Sequence, residues 1–402
     1  MEKNSIESSV QKDECCGCGA CINICPVKAL KYETDQYGFI IPAIDNEKCI
    51  MCGKCVSVCP VLECKKRLPI KAYAAKTIDD KLCLKSSSGG IFGSIARYIL
   101  ENKGVVYGCT MDRNFTVKHI RIDCFDDLEK IMRSKYVQSY MGDVYHQIEE
   151  ELKKNKMVMF SGTPCQVAAV NNYIPDKYKE KLFTIDVVCH GVPSQSFFDS
   201  YLRGLEKEFG VIQEYIFRYK KTVNNGMNWY SAYRLKTGNK LKVYNWPEDI
   251  FNFLYMKSYI YRESCYKCVF ATIERTGDIT LCDYWSWEKY HNQFSLGNTI
   301  SGVIINSAKA EEIVGQISDK IDFVETDIDD IKDNNSCLIK PTKMPLKRNE
   351  VLEFWRQQGM EELNRLFKKR NKKNILKYSL MRKIPQPVMN ILLKLRLKMM
   401  RG

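Results

Sequence analysis

The chain of 402 residues contains no run of about 18 consecutive apolar residues, the length that a membrane-spanning helix requires. Its first ten residues, MEKNSIESSV, also lack the apolar stretch and the small-residue cleavage site of a secretory signal. We therefore expect no transmembrane helix and a cytoplasmic location. A chain of this length can form two or three domains whose hydrophobic cores need no disulfide bonds.

Acidic residues are missing from the last part of the chain. Between Arg365 and Arg401 there are thirteen Lys and Arg residues and no Asp or Glu. The other 49 of the 62 basic residues nearly balance the 48 acidic residues, so the net charge of +14 belongs almost entirely to this segment. Because the body is close to neutral, the pI near 8.9 does not indicate nucleic-acid binding, and we expect no nucleic-acid partner.

Strong phosphate-binding fingerprints are absent as well. The sequence has neither a G-x-G-x-x-G dinucleotide motif nor a Walker loop. Two weaker loops remain, SSSGG at residues 86–90 and SGTPCQ at residues 161–166, each before a helix-like stretch. Their hydroxyls and unhindered backbone N–H groups could bind an anion. Ser and Gly also cap ordinary helices, which is the more frequent explanation.

Cysteine, by contrast, is abundant, with 19 residues, nine of them in two short runs. An odd number of thiols cannot all pair, and a reducing compartment disfavours stable disulfides, so metal binding is the better interpretation. Residues 15–26 and 49–60 both read C-x2-C-x2-C-x3-C-P. The two runs form an internal repeat of 34 residues.

This spacing suits a pair of 4Fe-4S clusters, because three thiolates on a tight loop reach one cubane while the fourth points to the other. The segment from about residue 10 to residue 62 resembles the bacterial two-cluster ferredoxin. Gly17, Gly19 and Gly53 stand where the backbone must wrap closely round a cluster. The expected ligand sets are crossed: Cys15, Cys18, Cys21 and Cys59 for one cluster, and Cys49, Cys52, Cys55 and Cys25 for the other.

A pair of zinc sites is the alternative for these cysteines, since C-x2-C also occurs in zinc ribbons. Zinc sites usually use two separated pairs of cysteines, whereas each run here is a complete quartet ending in Cys-Pro, which favours iron-sulfur. Cys16 is extra to the pattern, and we expect it to be a small side chain beside the cluster. Residues 37–41 predict a short strand that pairs with residues 29–32.

Strand-like and helix-like runs alternate after a polar linker at residues 63–71. Residues 105–107, 157–160, 182–188 and 299–307 read as buried strands, and residues 91–102 and 167–173 read as helices. Residues 230–244 predict a β-hairpin. The alternation predicts an α/β body, in which ligands usually lie at the ends of the strands.

Several ordered motifs across residues 70–345 are similar to the beta subunit family of coenzyme F-420 hydrogenase and dehydrogenase. They are SSSGGIF, RSKYVQS, FSGTPCQVAAV, IDVVCHGVPS, RESCYKCVFA and RTGDITLCDYW. The resemblance implies a bound FAD, a third 4Fe-4S cluster in the flavin domain, and two-electron chemistry on a small-molecule substrate. Relatives include reductases of chlorophyll derivatives and sulfite, and bacterial proteins associated with surface-polysaccharide synthesis.

The resemblance also implies site residues. Those expected at the flavin are Ser87, Ser88, Gly89, Gly90, Arg133, Ser134, Lys135, Ser161, Gly162, Thr163 and Pro164. Those expected to hold the third cluster are Cys165, Cys189, Cys265 and Cys268. For Cys165 and Cys189 taken singly, a buried structural cysteine is the alternative. Cys282 stands where many relatives have glycine, and it is either a harmless replacement or a competing ligand.

Two residues are candidates for catalysis. His190 could donate a proton to a substrate because imidazole titrates near neutral pH, although a structural histidine explains it as well. Lys135 could stabilise an anionic reduced flavin. A surface ion pair is the alternative for Lys135 and for Asp283, which we also consider near the flavin.

The basic C-terminal segment contains KKRNKK at residues 368–373 and VMNILLKLRLKMM at residues 388–400. On a helix the second stretch forms an apolar face with basic edges, which would lie on the inner face of an anionic membrane. The alternative is a helix that packs on the protein or on a partner. If the membrane interpretation is right, deletion of residues 368–402 abolishes binding to anionic liposomes at low salt; unchanged binding would exclude it.

The sequence thus predicts an α+β ferredoxin-like N-terminal domain at residues 1–63, a larger α/β flavin-binding domain at residues 70–345, and a helical basic tail at residues 346–402. The predicted function is that of an iron-sulfur flavoprotein oxidoreductase. Electrons pass between a redox partner protein or ferredoxin, the clusters, FAD, and an organic substrate or deazaflavin. The alternative is a non-catalytic electron-transfer subunit of a larger redox complex.

Overall fold

The computed structural model describes residues 5–220, 230–291, 293–295 and 299–381, with residues 388 and 391. The strands among these residues are β1 Leu30–Thr34, β2 Ile40–Ile44, β3 Lys71–Thr77, β4 Val105–Met111, β5 Val117–Ile122, β6 Val158–Gly162, β7 Leu182–Val187, β8 Ile212–Tyr219, β9 Tyr230–Leu235, β10 Leu241–Asn245, β11 Ile279–Asp283, β12 Ser301–Ile305 and β13 Ile321–Glu325.

The α-helices in the same ranges include several of a single turn. They are α1 Ile6–Ser9, α2 Ala20–Asn23, α3 Lys54–Ser57, α4 Asp80–Leu84, α5 Ile91–Glu101, α6 Leu128–Ile131, α7 Val144–Lys153, α8 Pro164–Tyr173, α9 Gln195–Phe209, α10 Ile250–Met256, α11 Ala308–Gln316, α12 Ile328–Lys332 and α13 Arg348–Met381.

The N-terminal unit consists of two cysteine loops and a β-hairpin. Helices α2 and α3 begin directly after Gly19 and Gly53, whose φ angles of +79° and +73° favour a residue without a side chain. Strands β1 and β2 pair antiparallel, which confirms the predicted pairing. The second strand begins at Ile40 rather than at residue 37, because Asp35 accepts backbone hydrogen bonds from Tyr37 and Phe39 and so closes a turn there.

The larger unit is built on an eight-stranded sheet in the order β13-β3-β12-β11-β7-β6-β4-β5. Within this sheet, the adjacent pairs β4–β6, β6–β7 and β7–β11 are parallel. The strands that flank this group pair with it antiparallel. This arrangement confirms the predicted α/β body. The carboxyl ends of the four parallel strands therefore meet at one edge of the sheet.

Helices cover both faces of the sheet. Alternate residues of β4 face opposite sides, so Val106 packs with α5, α6 and α11 while Val105 and Tyr107 pack with α7 and α8. The second face also receives Cys18 and Ala20 from the N-terminal unit. The cysteine loops are thus part of the same packed structure as the parallel strands.

A second, three-stranded antiparallel sheet, β10-β9-β8, follows α9 and confirms the predicted hairpin between β9 and β10. Helix α13 packs against it, with Leu352, Leu363 and Phe367 buried in the aromatic core that α9 and α10 also form. The core therefore extends beyond residue 345. At Gly359, with φ +81°, the path of α13 breaks.

The start of the basic segment continues α13, and Lys368 pairs with Glu208 of α9 at 3.0 Å. Most of the predicted amphipathic stretch at residues 388–400 lies outside the described residues. In the part of the chain that is described, every helix is too short or too polar to cross a bilayer.

Candidate functional site

A large cavity of about 1680 Å³ lies at the carboxyl ends of the parallel strands. Cys109 of β4, Ser161 and Gly162 of β6, Val187 of β7 and Asp283 of β11 line it. This edge is where ligands bind in open α/β sheets. All the residues predicted at the flavin line the cavity except Gly89.

Gly89 instead lies against strands β3 and β12. A Cβ added there would come within 2.4 Å of the Ala75 carbonyl oxygen. Its amide donates a hydrogen bond to the Ser301 hydroxyl at 2.9 Å. The role of Gly89 in the structure is therefore to let the SSSGG loop lie close to the sheet, which brings its neighbours to the cavity wall.

Two buried cations from the end of β8 hold the SSSGG loop. The Nη2 of Arg218 donates to the Ser87 carbonyl at 3.0 Å, and the Nζ of Lys220 donates to the Ser88 carbonyl at 2.6 Å. Burial lowers the pKa of Lys220 to about 8. These bonds fix the orientation of the loop and place positive charge beneath it, an arrangement that suits an anionic ligand.

Arg218 also forms an ion pair with Asp283, with 2.7 Å between Nη1 and Oδ2. Burial opposes the charge of Arg218, but Asp283 and Tyr136 together outweigh burial, so the pKa of the guanidinium is raised. Both side chains are almost inaccessible to solvent, at 5% and 14% exposure. The surface ion pair considered for Asp283 is therefore wrong, because the pair is part of the cavity wall.

The RSK segment lies on the other side of the same loop. Ser134 donates its amide hydrogen to the Ser87 hydroxyl at 2.8 Å. The Nζ of Lys135 donates to the carbonyls of Cys109 at 2.7 Å and Met132 at 2.6 Å, and burial lowers its pKa to about 8. Since its acceptors are uncharged carbonyls, the surface ion pair considered for Lys135 is wrong too.

Arg133 has the unusual φ angle of +67°, and it lines the cavity. The left-handed conformation is costly for a residue other than glycine and is found most often at functional sites. This backbone turn separates Met132, which packs in the core, from the cavity-facing residues that follow. Arg133 is therefore well placed for the charged part of a ligand.

The SGTP turn caps helix α8. The Thr163 hydroxyl and amide both donate to the Gln166 side-chain oxygen, at 3.0 and 3.1 Å, and Pro164 opens the helix. This is the capping arrangement that the sequence left as the more frequent explanation. The cap also places Cys165 in the first helical turn, at the cavity wall.

The structure brings together the four cysteines predicted to hold a third cluster, which are Cys165, Cys189, Cys265 and Cys268. All of them line the cavity. Burial raises the pKa of Cys265 to about 12 and that of Cys268 to about 11, and neighbouring thiols of the quartet add to both effects. Burial raises the pKa of Cys189 as well. Adjacent thiols of this kind are stabilised as thiolates when they bind a metal cluster.

Cys337, rather than Cys282, lies near Cys268 of this quartet. Cys337 raises the pKa of Cys268 electrostatically, and the Cys337 sulfur lies 3.4 Å from Nδ1 of His190. The Cys282 sulfur faces the Gly302 carbonyl of β12 at 3.6 Å. Burial works against a charged His190, yet Cys337 and Asp283 together outweigh burial and the pKa of His190 is raised. His190 thus has a thiol partner at the cavity wall.

The cysteines of the N-terminal unit lie close together. Burial raises the pKa of Cys21, and the thiols of Cys18, Cys15, Cys59 and Cys55 add to this effect. The second predicted ligand set, Cys25, Cys49, Cys52 and Cys55, lines one small pocket.

Cys16 lies beside Cys18, as expected, and it also reaches Cys165. The Cys16 thiol, acting as a hydrogen-bond donor, lowers the pKa of Cys165 to about 7, and it lowers the pKa of Cys18 as well. A single side chain therefore separates a predicted ligand of the first cluster from a predicted ligand of the third. The Tyr145 hydroxyl, which donates to the Cys18 carbonyl at 2.9 Å, holds this loop in place.

Comparison with known proteins found two matching family models. Residues 14–62 match a 4Fe-4S dicluster domain, and residues 155–331 match the C terminus of the beta subunit of coenzyme F420 hydrogenase/dehydrogenase. The chain is an iron-sulfur redox protein related to this beta subunit. Both parts of the resemblance predicted from the motifs are thereby confirmed, and the dicluster domain supports 4Fe-4S binding over the zinc alternative.

One solved structure that resembles the chain is described as a xenon derivatization of the F420-reducing [NiFe] hydrogenase complex from Methanosarcina barkeri. The two chains are 16% identical, with a TM-score of 0.45, and the likeness covers 77% of this chain and 92% of that chain. No curated protein matches the chain.

The matched beta-subunit region contains all four cysteines of the quartet, whereas the SSSGG and RSK segments precede it. Across the described ranges, no three Cys, His, Asp or Glu side chains converge closely enough to ligate a single metal ion. A cubane spreads its four thiolates over a larger body than a single ion does.

His119 of β5 is a cavity residue that the sequence did not indicate. Its ring stacks on Phe160 with 5.2 Å between centroids. Because the Ser161 carbonyl can only accept, Nε2 carries the proton and donates to it at 3.0 Å, while the Ser139 hydroxyl lies 3.0 Å from Nδ1. Burial lowers the pKa of His119 to about 4, so this histidine stays neutral and fixes the SGTP turn.

Proposed function

We propose that the chain is an iron-sulfur flavoprotein oxidoreductase that moves electrons between a redox partner protein, its dicluster domain, a third cluster on the quartet, and FAD in the large cavity. When bound, the clusters would carry single electrons and FAD would collect them into a pair for a substrate. We base this proposal on the position of Cys16, which lines the cavity together with Cys165 and acts on the thiols of both Cys18 and Cys165.

The cavity has the size and charge that FAD requires. Its volume of about 1680 Å³ exceeds the roughly 300–1,000 Å³ of most ligand pockets, which leaves room for a substrate beside the cofactor. Nine Lys and Arg residues line it against three Asp and Glu residues, so an anionic ligand is favoured. The loop fixed by Arg218 and Lys220 would hold the pyrophosphate, and Lys135 would supply positive charge near the ring.

Chemical analysis of anaerobically purified protein tests the proposal. We expect about twelve iron atoms, as many sulfides, and one FAD per chain, which correspond to three cubane clusters and one flavin. A screen of metabolites for bleaching or recovery of the flavin absorbance would then identify the substrate. A reconstituted chain with iron but without FAD, which oxidises no soluble donor, would instead support the electron-transfer subunit. A chain with neither iron nor flavin would exclude both.

The variant Lys220→Met should weaken FAD binding by at least about tenfold. The methionine has a similar length but removes the charge beneath the loop and the hydrogen bonds to the carbonyls of Cys83 and Ser88 and to the Thr299 hydroxyl. The measurement is a fluorescence titration of the deflavinated protein with FAD.

Lys309→Met is a matched control for Lys220→Met. Lys309 also donates to two backbone carbonyls, those of Lys179 at 2.9 Å and Leu182 at 2.7 Å, and burial lowers its pKa, but neither carbonyl belongs to a residue of the cavity wall, whereas Ser88, which Lys220 holds, does. FAD affinity should be unchanged in this variant. Equal affinities in the two variants would show that Lys220 does not support a flavin site.

A further inference from the structure

Arg262 lies at the junction between the dicluster domain and the rest of the molecule, with only 3% of its surface exposed. Its Nε donates to the Cys15 carbonyl at 2.7 Å, and its Nη2 donates to the first carbonyl of β2. Its Nη1 donates at 3.1 Å to Gln138, whose amide in turn donates at 3.3 Å to the carbonyls of Cys16 and Gly17. Together with Tyr145, this side chain and its glutamine neighbour therefore hold the first cysteine loop in place.

The charge of Arg262 has no carboxylate partner within the described residues. Its acceptors are two carbonyls and an amide oxygen, all of them uncharged. Arg218 and Arg275, the other buried arginines of the cavity wall, are each paired with an aspartate. A buried guanidinium without a counter-charge is unfavourable, so a negatively charged group bound beside Arg262 would stabilise it.

Arg262 contacts both sets of predicted cluster ligands. Its side chain donates to the Cys15 carbonyl, its own carbonyl accepts from the Cys265 amide at 3.1 Å, and it lines the cavity together with Cys165. Cys15 belongs to the predicted ligands of a dicluster centre, whereas Cys165 and Cys265 belong to the quartet. This uncompensated cation thus lies between two sets of predicted cluster ligands. A cluster gains negative charge when it is reduced, and a nearby buried cation stabilises that state more than the oxidised one.

We propose that Arg262 is a positioning residue that holds the first cysteine loop against the quartet and raises the reduction potential of the clusters on either side of it. Through this double role, Arg262 sets both the distance and the driving force of electron transfer between the dicluster domain and the cavity. The part of the proposal that concerns the quartet rests on the proposed function, and the part that concerns the Cys15 cluster does not.

The test is an anaerobic redox titration of the full-length holoprotein, followed by electron paramagnetic resonance, with Arg262→Gln and Arg262→Lys. At the potential where a wild-type cluster is half reduced, Arg262→Gln should show a ratio of reduced to oxidised cluster about tenfold lower, a shift of about 59 mV for a one-electron couple. Arg262→Lys keeps the charge without the forked hydrogen bonds, so its potential should stay near the wild-type value while electron transfer to the flavin slows.

Lys66→Gln is the matched control, because Lys66 also donates to an uncharged carbonyl, that of Val269 at 2.7 Å, but from an exposed position where solvent screens its charge. Its potentials should not move. The proposal would be overturned if Arg262→Gln kept its full iron content and its potentials were unchanged. It would also be overturned if the reduction potential fell as far in Arg262→Lys as in Arg262→Gln. If Arg262→Gln loses iron, Arg262→Lys still tests the proposal. A potential near the wild-type value with slower electron transfer to the flavin would support it, and an unchanged rate would contradict it. A wild type without a third cluster signal would refute the proposed function, while the potential of the Cys15 cluster would still test Arg262.

Discussion

The variant Cys165→Ala should contain about eight rather than about twelve iron atoms per chain, and a reduced ferredoxin should no longer reduce its flavin. Cys165 is the member of the quartet that adjoins Cys16, and its removal leaves only three thiols of the quartet. The dicluster domain does not depend on this residue, so its own signals should persist. Iron analysis and stopped-flow measurement of flavin bleaching check both parts.

Cys282→Ala is the control for Cys165→Ala. Its thiol also lines the cavity, but it faces the Gly302 carbonyl of β12 rather than the quartet. This variant should keep its iron and its rate of flavin reduction. In Cys165→Ala, direct photochemical reduction of the flavin should remain normal, because that route bypasses the clusters. Loss of iron in Cys282→Ala, with none lost in Cys165→Ala, would show that the assigned ligand set is wrong.

The sequence was most informative where a site is built from one short segment. The spacing of the two cysteine runs predicts the dicluster domain, because each loop supplies three ligands to one cluster and its geometry depends on neighbouring glycines. The alternation of apolar runs predicts the parallel strands, and with them the edge at which ligands bind. Both kinds of pattern act over a few residues, so they are visible without knowledge of the fold.

Residues that act across the fold could not be recognised in this way. Arg218 and Lys220 lie more than 120 positions from the SSSGG loop that they hold, and Arg262 lies 247 positions from Cys15. Nothing in the local sequence of an arginine shows whether its partner is an aspartate, a carbonyl or a cluster. Cys337 illustrates the same limit, since a lone cysteine after the last strand gives no sign that the fold places it beside His190.

The RTGD motif shows how a motif can support a resemblance while its physical role stays hidden. In the structure Arg275 is 1% exposed and donates to Asp186 of β7, also fully buried, with 3.1 Å between Nη2 and Oδ1. The other oxygen of Asp186 accepts from the amides of Thr276 and Gly277. Only glycine fits at position 277, where a Cβ would lie 2.7 Å from the Asp186 nitrogen. The motif therefore links β11 to β7, the strand that leads to Cys189.

We expect Asp186→Ala to lower the free energy of unfolding by roughly 3–5 kcal/mol, because it leaves the Arg275 guanidinium buried without its counter-charge. The amides of Thr276 and Gly277 lose their acceptor as well, which adds to the cost. The thermal midpoint of the anaerobic holoprotein, followed by tryptophan fluorescence, should fall by several degrees. Loss of the quartet should accompany unfolding, since Cys189 follows directly on β7.

A double variant separates the unpaired charge from the loss of packing. Asp186→Ala combined with Arg275→Met removes both charges, so it should be more stable than Asp186→Ala alone, because the cost of a broken buried pair lies mainly in the charge left behind. Glu129→Ala removes one partner of the exposed pair with Lys85, at 55% and 48% exposure, and should change stability by less than about 1 kcal/mol. If the double variant is no more stable than Asp186→Ala, the buried charge is not what destabilises the strand end. If Asp186→Ala is as mild as Glu129→Ala, the ion pair does not anchor β7 at all.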